Sequence, residues 1–208
     1  MITLHHLEFS RSTRILWALE ELELHYELVV YQRDQAFRAP PSLSAIHPLG
    51  KAPVIVDDGL TIAESAAILT HLNDRHGGGR LAPQRGSDEW SIHDEWLHFV
   101  EGSAAFPIML TLIGTMIGGL QEGLAAFVVP ERAKILAYVA GRVGDGPWLL
   151  GTKFTMADIQ LAYVIELAEA AGLLADHPSL RDYLARLKER AAYKKAIAVG
   201  GPVVPPRM

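Results

Sequence analysis

Residues 76–87, HGGGRLAPQRGS, hold four glycines and one proline among few apolar side chains, and they separate two kinds of sequence. Before them, apolar residues alternate or cluster as in strands; after them, apolar spacing is helical throughout. ITLHHL (2–7) reads as a strand, and Ile15, Leu16, Leu19 and Leu22 recur at helical spacing. HYELVVY (25–31) is rich in β-formers, and the Pro-containing stretch from 32 to 51 is loop with short helical turns at most. APVIV, DDG and LTI form a hairpin pattern, followed by the helix AESAAILTHLNDRH. The order is βαβ, loop, ββα, an α/β unit expected over 1–78, with a linker at 79–87. An all-α unit is expected over 88–208, with helices near 88–118, 120–143, 156–171 and 178–190 and a short turn near 193–198. Only Phe127–Val129, ahead of Pro130, has strand character in that half.

Half of the 208 residues are hydrophobic, enough for a sizeable core. A formal charge of −5 provides no basic stripe for a phosphate backbone, so nucleic acid is not expected as a partner. No uninterrupted apolar run reaches the roughly 18 residues of a membrane span, and no charged leader with a cleavage site precedes the first strand. The expectation is a cytoplasmic protein without membrane attachment. The chain has no cysteine, which excludes disulfides, Cys-ligated zinc, iron–sulfur clusters and a protein thiol nucleophile. Any sulfur chemistry must use a ligand's thiol. Nucleophile-elbow, dinucleotide, P-loop and zincin motifs are absent, and Gly50-Lys51 is followed by Ala52 instead of Ser or Thr. His93 and His98 stand five apart, an awkward spacing for a helical metal pair, and no metal is expected.

Two short polar features remain. Phe154-Thr155-Met156-Ala157-Asp158-Ile159 is a capping box with a hydrophobic staple, a folding signal without a catalytic role. EFSRSTR (8–14) interrupts the passage from first strand to first helix with two serines and two arginines. Such a serine can cap the helix or carry chemistry.

Together, HPLGKAPVI (47–55), AESAAIL (63–69) and PWLLGTKFTMADI (147–159) resemble the cytosolic glutathione transferases. YQRDQAFRAPP (31–41) is similar to the yeast-type branch and its bacterial relatives, and HPSLRDYLARLKERAAY (177–193) extends the likeness, with Ala191 where the family usually has Pro. The resemblance implies a thioredoxin-like N-terminal domain that holds glutathione, and a helical domain that walls the second substrate. It also implies a cis peptide before Pro53, with Ala52 pairing its backbone with the cysteinyl group of glutathione as an added strand. Ser65 and the helix N-terminus would take the γ-glutamyl carboxylate, and Glu64 the ammonium. Arg38 and Lys51 would face the glycine carboxylate, Arg as the better bidentate partner. Metal plays no part in this chemistry, and a homodimer is the family's usual state.

Glutathione must react as a thiolate. Moving its thiol from about 8.5 to around 6.5 takes roughly 2.7 kcal/mol. A hydrogen bond to a charged group contributes about 1.5–3 kcal/mol, and a helix N-terminus about 0.3–2. Family members use Tyr, Ser or Cys on this loop; Cys is absent and the first Tyr is Tyr26, leaving the hydroxyls of Ser10, Ser12 and Thr13. Arg14 matches an Arg common in Ser-type enzymes, and counting back from it places the catalytic hydroxyl at Ser10. Ser12 stands in reserve, and a backbone N–H is the remaining option. The electrophile site is expected where this loop meets the helix after the linker, with Phe99, Phe106, Met109 and Leu112 as candidates, although such a stripe is also ordinary core. A non-catalytic scaffold on this fold, and a glutathione-dependent isomerase, lyase or peroxidase, share the same binding residues.

Overall fold

The structure, a computed structural model, describes residues 1–144 and 146–205. The chain divides into two units, Leu81–Lys188 and a unit made of Met1–Arg80 with the chain from Glu189 onward. This departs from the division expected from sequence, whose final residues 206–208 lie outside the described part.

In the first unit, β1 (Ile2–Leu7) pairs in parallel with β2 (Tyr26–Tyr31) and antiparallel with β3 (Val54–Asp57), which pairs antiparallel with β4 (Leu60–Ala63), in the order β2-β1-β3-β4. A parallel β1/β2 pair needs a crossover, supplied by α1 (Ser12–Glu21). All eight residues from Ser12 to Leu19 are buried, because α1 packs against β1, α3 (Ser65–Arg75) and α9 (Ala191–Gly200). The loop after β2 contains only the one-turn α2 (Pro41–Ser44).

The return of α9 is the main correction to the expected domains. A bidentate ion pair fastens it, Arg190 Nε and Nη2 to the Glu21 carboxylate at 2.6 and 2.8 Å, with Trp17 edge-on to Tyr193 at 5.0 Å. A Cβ on Gly200 would lie 2.6 Å from Leu16 and 3.0 Å from the His6 ring, so only glycine permits this approach. The sequence suggested only a short turn near 193–198 where α9 runs from Ala191 to Gly200, and nothing local indicates which unit this segment covers.

The second unit begins inside the expected linker: Leu81 is buried, and its carbonyl accepts from Met156 N at 2.8 Å. Helix α4 (Asp88–Phe99), capped by Ser87 Oγ accepting from Trp90 N, runs through a π-helical turn at Val100–Ala104 into α5 (Ala105–Met116). Within this continuous run one 18-residue window has a mean hydropathy of 1.4 and is, by length and composition alone, long and apolar enough to cross a membrane, although polar residues interrupt it, so it is not the uninterrupted apolar run that the sequence lacks. Here its apolar face packs against α7 (Met156–Ala170), burying Trp96, Leu97, Val100, Ala104 and Ile108. Phe127–Val129 lies within α6 (Glu122–Val143), not a strand, and Pro130 sits inside that helix. The expected capping box is present on α7, which packs with α8 (Pro178–Lys188).

Candidate active site

Strand register gathers the predicted binding segments. Leu7 pairs with Tyr31, His5 with Val54 and Val54 with Ala63. The loop 8–12, the loop after Tyr31, the approach to β3 at Lys51–Pro53 and the exit of β4 at Glu64–Ser65 therefore all lie at one end of the sheet. The Ala52–Pro53 peptide is cis, as the resemblance implied. Among the described residues, no backbone group bonds to that of Ala52, just ahead of β3. Such an unpaired segment is suited to an added strand.

Glu64 is exposed and held at φ 72°, a left-handed conformation uncommon for a side chain of this size. It precedes α3, whose N-terminus has no side-chain cap among the described residues, leaving first-turn N–H groups to receive an anion. Ser65 is buried, with its Oγ 3.5 Å from Arg14 Nη1. A guanidinium behind the hydroxyl adds to the positive potential of the helix end.

Both serines are buried, Ser10 at 5% exposure and Ser12 at zero, and both hydroxyls face inward. His6 Nε2 lies 2.8 Å from the Gly200 carbonyl, which can only accept, so Nε2 carries the proton. Burial lowers the pKa of His6 and keeps the ring neutral, against the opposing influence of Gly200 and Glu8. Nδ1 is then a bare acceptor, and Ser12 Oγ donates to it at 2.9 Å. The lone pairs of Ser12 take the Leu7 N–H at 3.2 Å and face Ser10 Oγ at 2.7 Å. Ser10 Oγ also lies 2.7 Å from the Leu7 carbonyl and accepts from Ser12 N. Ser12 Oγ also lies 3.1 Å from the Leu7 carbonyl, but the shorter contact to the bare Nδ1 of His6 takes its proton, and that of Ser10 goes to Leu7 O or Ser12. Of the two, only Ser10 has any exposed surface. Thr13 donates to Ser10 O at 3.2 Å, as a helix-start residue does.

Arg33 escaped sequence reasoning. Its Nε donates to Glu8 O and its Nη2 to Phe9 O, while Nη1 donates to Phe37 O and the guanidinium lies over the Phe37 ring at 4.4 Å. It thereby joins the serine loop to the loop carrying Arg38, where Phe9 and Phe37 stack at 6.1 Å. The signal was an Arg at a strand end facing an irregular loop, which is too common to be diagnostic. Arg38 and Lys51 themselves are exposed.

The four apolar candidates fall in the second unit. Phe99, half-buried, belongs to an aromatic group with Trp96 at 5.0 Å and Tyr138 at 5.4 Å. Phe106 is 57% exposed, and Met109 and Leu112 are half-buried. The π-helical turn lies between Phe99 and the other three, so they do not continue one regular stripe.

This fold class, a thioredoxin-like sheet unit with a helical unit following it in the chain, narrows to one family on comparison. The sequence matches the family models "Glutathione S-transferase, N-terminal domain" over residues 1–74 and "Glutathione S-transferase, C-terminal domain" over 122–186. Glutathione S-transferase 3 of Schizosaccharomyces pombe is 34% identical over 89% of this chain and 77% of its own length. Glutathione S-transferase 1 of Saccharomyces cerevisiae is 30% identical over 96% and 97%. The crystal structure of a glutathione S-transferase from Actinobacillus pleuropneumoniae superposes with a TM-score of 0.87 at 34% identity, covering 96% of this chain and 93% of that one. The chain belongs to the glutathione S-transferase family and is an enzyme of the transferase class.

Proposed function

We propose that this chain binds glutathione at the loop-bearing end of its sheet, holds the sulfur as thiolate with the Ser10 hydroxyl, and adds it to an electrophilic small molecule. The observation that carries this reading is the register, which gathers loop 8–12, Ala52–Pro53 and Glu64–Ser65 at one sheet end. Ala52 pairs with the cysteinyl backbone, Ser65 and the α3 N-terminus take the γ-glutamyl carboxylate, and Glu64 takes the ammonium. Arg38 and Lys51, exposed and cationic, attract the glycine carboxylate. The thiol proton leaves to solvent, and sulfur forms the new bond to carbon while the electrophile's leaving group or π electrons accept the displaced pair. Phe99, Phe106, Met109 and Leu112 supply apolar surface for that electrophile, in a cytoplasmic homodimer.

Ser10 is favoured over Ser12 because Ser12 is fully buried and its proton is held by His6. To serve the thiolate, Ser10 turns its O–H from the Leu7 carbonyl toward sulfur, exchanging a neutral hydrogen bond for a charge-assisted one, which is roughly twice as strong. The ultraviolet thiolate band on adding glutathione tests this. Ser10→Ala should raise the bound thiol's pKa by roughly one to two units and slow conjugation by about 10- to 100-fold. A specific observation favours a second reading: both short Oγ contacts of Ser10 are to internal acceptors. If Ser10→Ala leaves the thiol pKa unchanged, a backbone N–H of the loop holds the sulfur. Absence of any glutathione binding by calorimetry at millimolar concentration would revive the scaffold alternative.

A further inference from the structure

We propose that Asp57, His71 and His76, at the opposite end of the same sheet, form a binding site for a late first-row divalent cation. Asp57 ends β3, paired with Ile2 at the start of β1, and His71 and His76 come from the second half and the C-cap of α3. Both imidazole Nε2 atoms lie 2.7 Å from Asp57 Oδ2, and one ligand atom from each of the three residues falls within 4.8 Å of the others. The rings stand 6.1 Å apart at 69°, converging on the carboxylate from two directions.

Spacing of five residues on a helix does not normally converge. Here α3 ends at Arg75, and His76 at φ −121° leaves helical geometry, so its ring swings back beside that of His71.

The second observation lies in the carboxylate. Asp57 is fully buried, yet among the described residues its Oδ1 has no hydrogen-bond partner, while Oδ2 takes both imidazoles. Leaving one oxygen of a buried carboxylate unpaired is costly, and a cation bound through both carboxylate oxygens offsets that cost, with each imidazole carrying its single proton on Nδ1 so that Nε2, which otherwise donates to Oδ2, is free to ligate. Two imidazoles with one carboxylate suit zinc and its neighbours better than magnesium or calcium, which prefer oxygen ligands. Zinc needs ligand distances of about 2.0–2.2 Å, so side-chain adjustments suffice. His71 and His76 are partly exposed, which provides an entry path and a place for water as fourth ligand. Arg75 opposes the cation: its Nε is 3.6 Å from Asp57 Oδ2. Half-exposed, it also reaches Asp58 Oδ2 at 3.6 Å, a carboxylate that the N-terminal ammonium contacts as well, and it withdraws to that side when the ion enters.

The test uses the full chain without a polyhistidine tag and without glutathione, which itself binds zinc. Zinc is titrated against a chromophoric chelator, with Co²⁺ visible absorption reporting nitrogen ligation. One equivalent is expected, with His71→Gln and His76→Gln each weakening binding by about tenfold or more. Arg75→Gln should tighten it by about two- to fivefold, and His98→Gln, altering the exposed His98–Asp94 pair, should change nothing. Zinc anomalous scattering from wild-type crystals locates the ion even if a histidine variant fails to fold. No uptake in the micromolar range, unchanged affinity in both histidine variants, or an anomalous peak elsewhere overturns the proposal.

Discussion

Two buried polar networks, one in each unit, are built from hydroxyl and other polar side chains and differ in how fully their acceptors are matched by donors. In the helical unit, Asp158 accepts from Leu149 N and Tyr183 O–H through Oδ1, and from Thr155 N and Oγ1 through Oδ2. Every acceptor site is filled from an internal donor, and the network ties the loop before α7 to α7 and α8. In the sheet unit, His6, Ser12 and Ser10 form a chain whose last hydroxyl has two inward acceptors for one proton and a trace of exposed surface. A saturated network holds structure. One with a redundant acceptor at its surface end can release a proton donor to a ligand at little cost.

The comparison breaks most visibly at Asp158. Asp158→Ala leaves buried donors at Leu149, Thr155 and Tyr183 without their acceptor and should cost about 3–5 kcal/mol, read as a fall in thermal unfolding midpoint. Burial pushes the Asp158 carboxyl up despite its four donors, so Asp158→Asn, which keeps one acceptor oxygen, should cost distinctly less.

His93 provides an unsatisfied counterpart in the same unit. It is fully buried beside Trp90 at 5.4 Å, and neither ring nitrogen has a partner among the described residues. Burial holds its pKa down, from 6.5 to about 4. The unfolded chain therefore takes up the proton first as pH falls. The stability is fully present above about pH 6.5 and is lost toward pH 4, at about 1.4 kcal/mol per pH unit and about 3 kcal/mol in all. Unfolding midpoints across that window should show the slope, and His93→Phe should flatten it.

Smaller effects separate the two serines. Ser12→Ala removes the donor to His6 and the acceptor for Leu7 N–H, costing about 1–2 kcal/mol of stability while the glutathione thiolate band persists. A lost band with unchanged stability would exchange the roles of Ser12 and Ser10. Arg33→Ala should act most weakly, loosening the loop that carries Arg38 and raising KM for glutathione by about two- to fivefold with kcat little changed.

The legibility of these networks in sequence follows from how local they are. The donors of the Thr155–Asp158 box lie three residues apart, and the capping motif is readable as a string. Tyr183, which completes it, is a core tyrosine of α8 whose hydroxyl could not be assigned in advance. The serine network is closed by His6, hidden in the apolar run ITLHHL, and by Gly200, 194 residues away. The family resemblance made Ser10 and Ser12 the candidate hydroxyls; burial is what separates their surroundings. The π-helical turn after Phe99 changes helix phase without a Pro or Gly pattern that specifies it, so the expected stripe reads straighter than the helix is.

The sequence by itself determined the strand and helix order, the capping box and the absence of any protein thiol, because periodicity, capping spacing and residue inventory are local properties. It also carried the motifs that mark the glutathione S-transferase family. Tertiary structure decided that α9 returns to the sheet unit, that Leu81 joins the helical one, and that Asp57, His71 and His76 converge. Those outcomes depend on which surfaces bury each other across long stretches of chain. The energies that select them arise from complementary packing and paired charges, which no window of sequence contains.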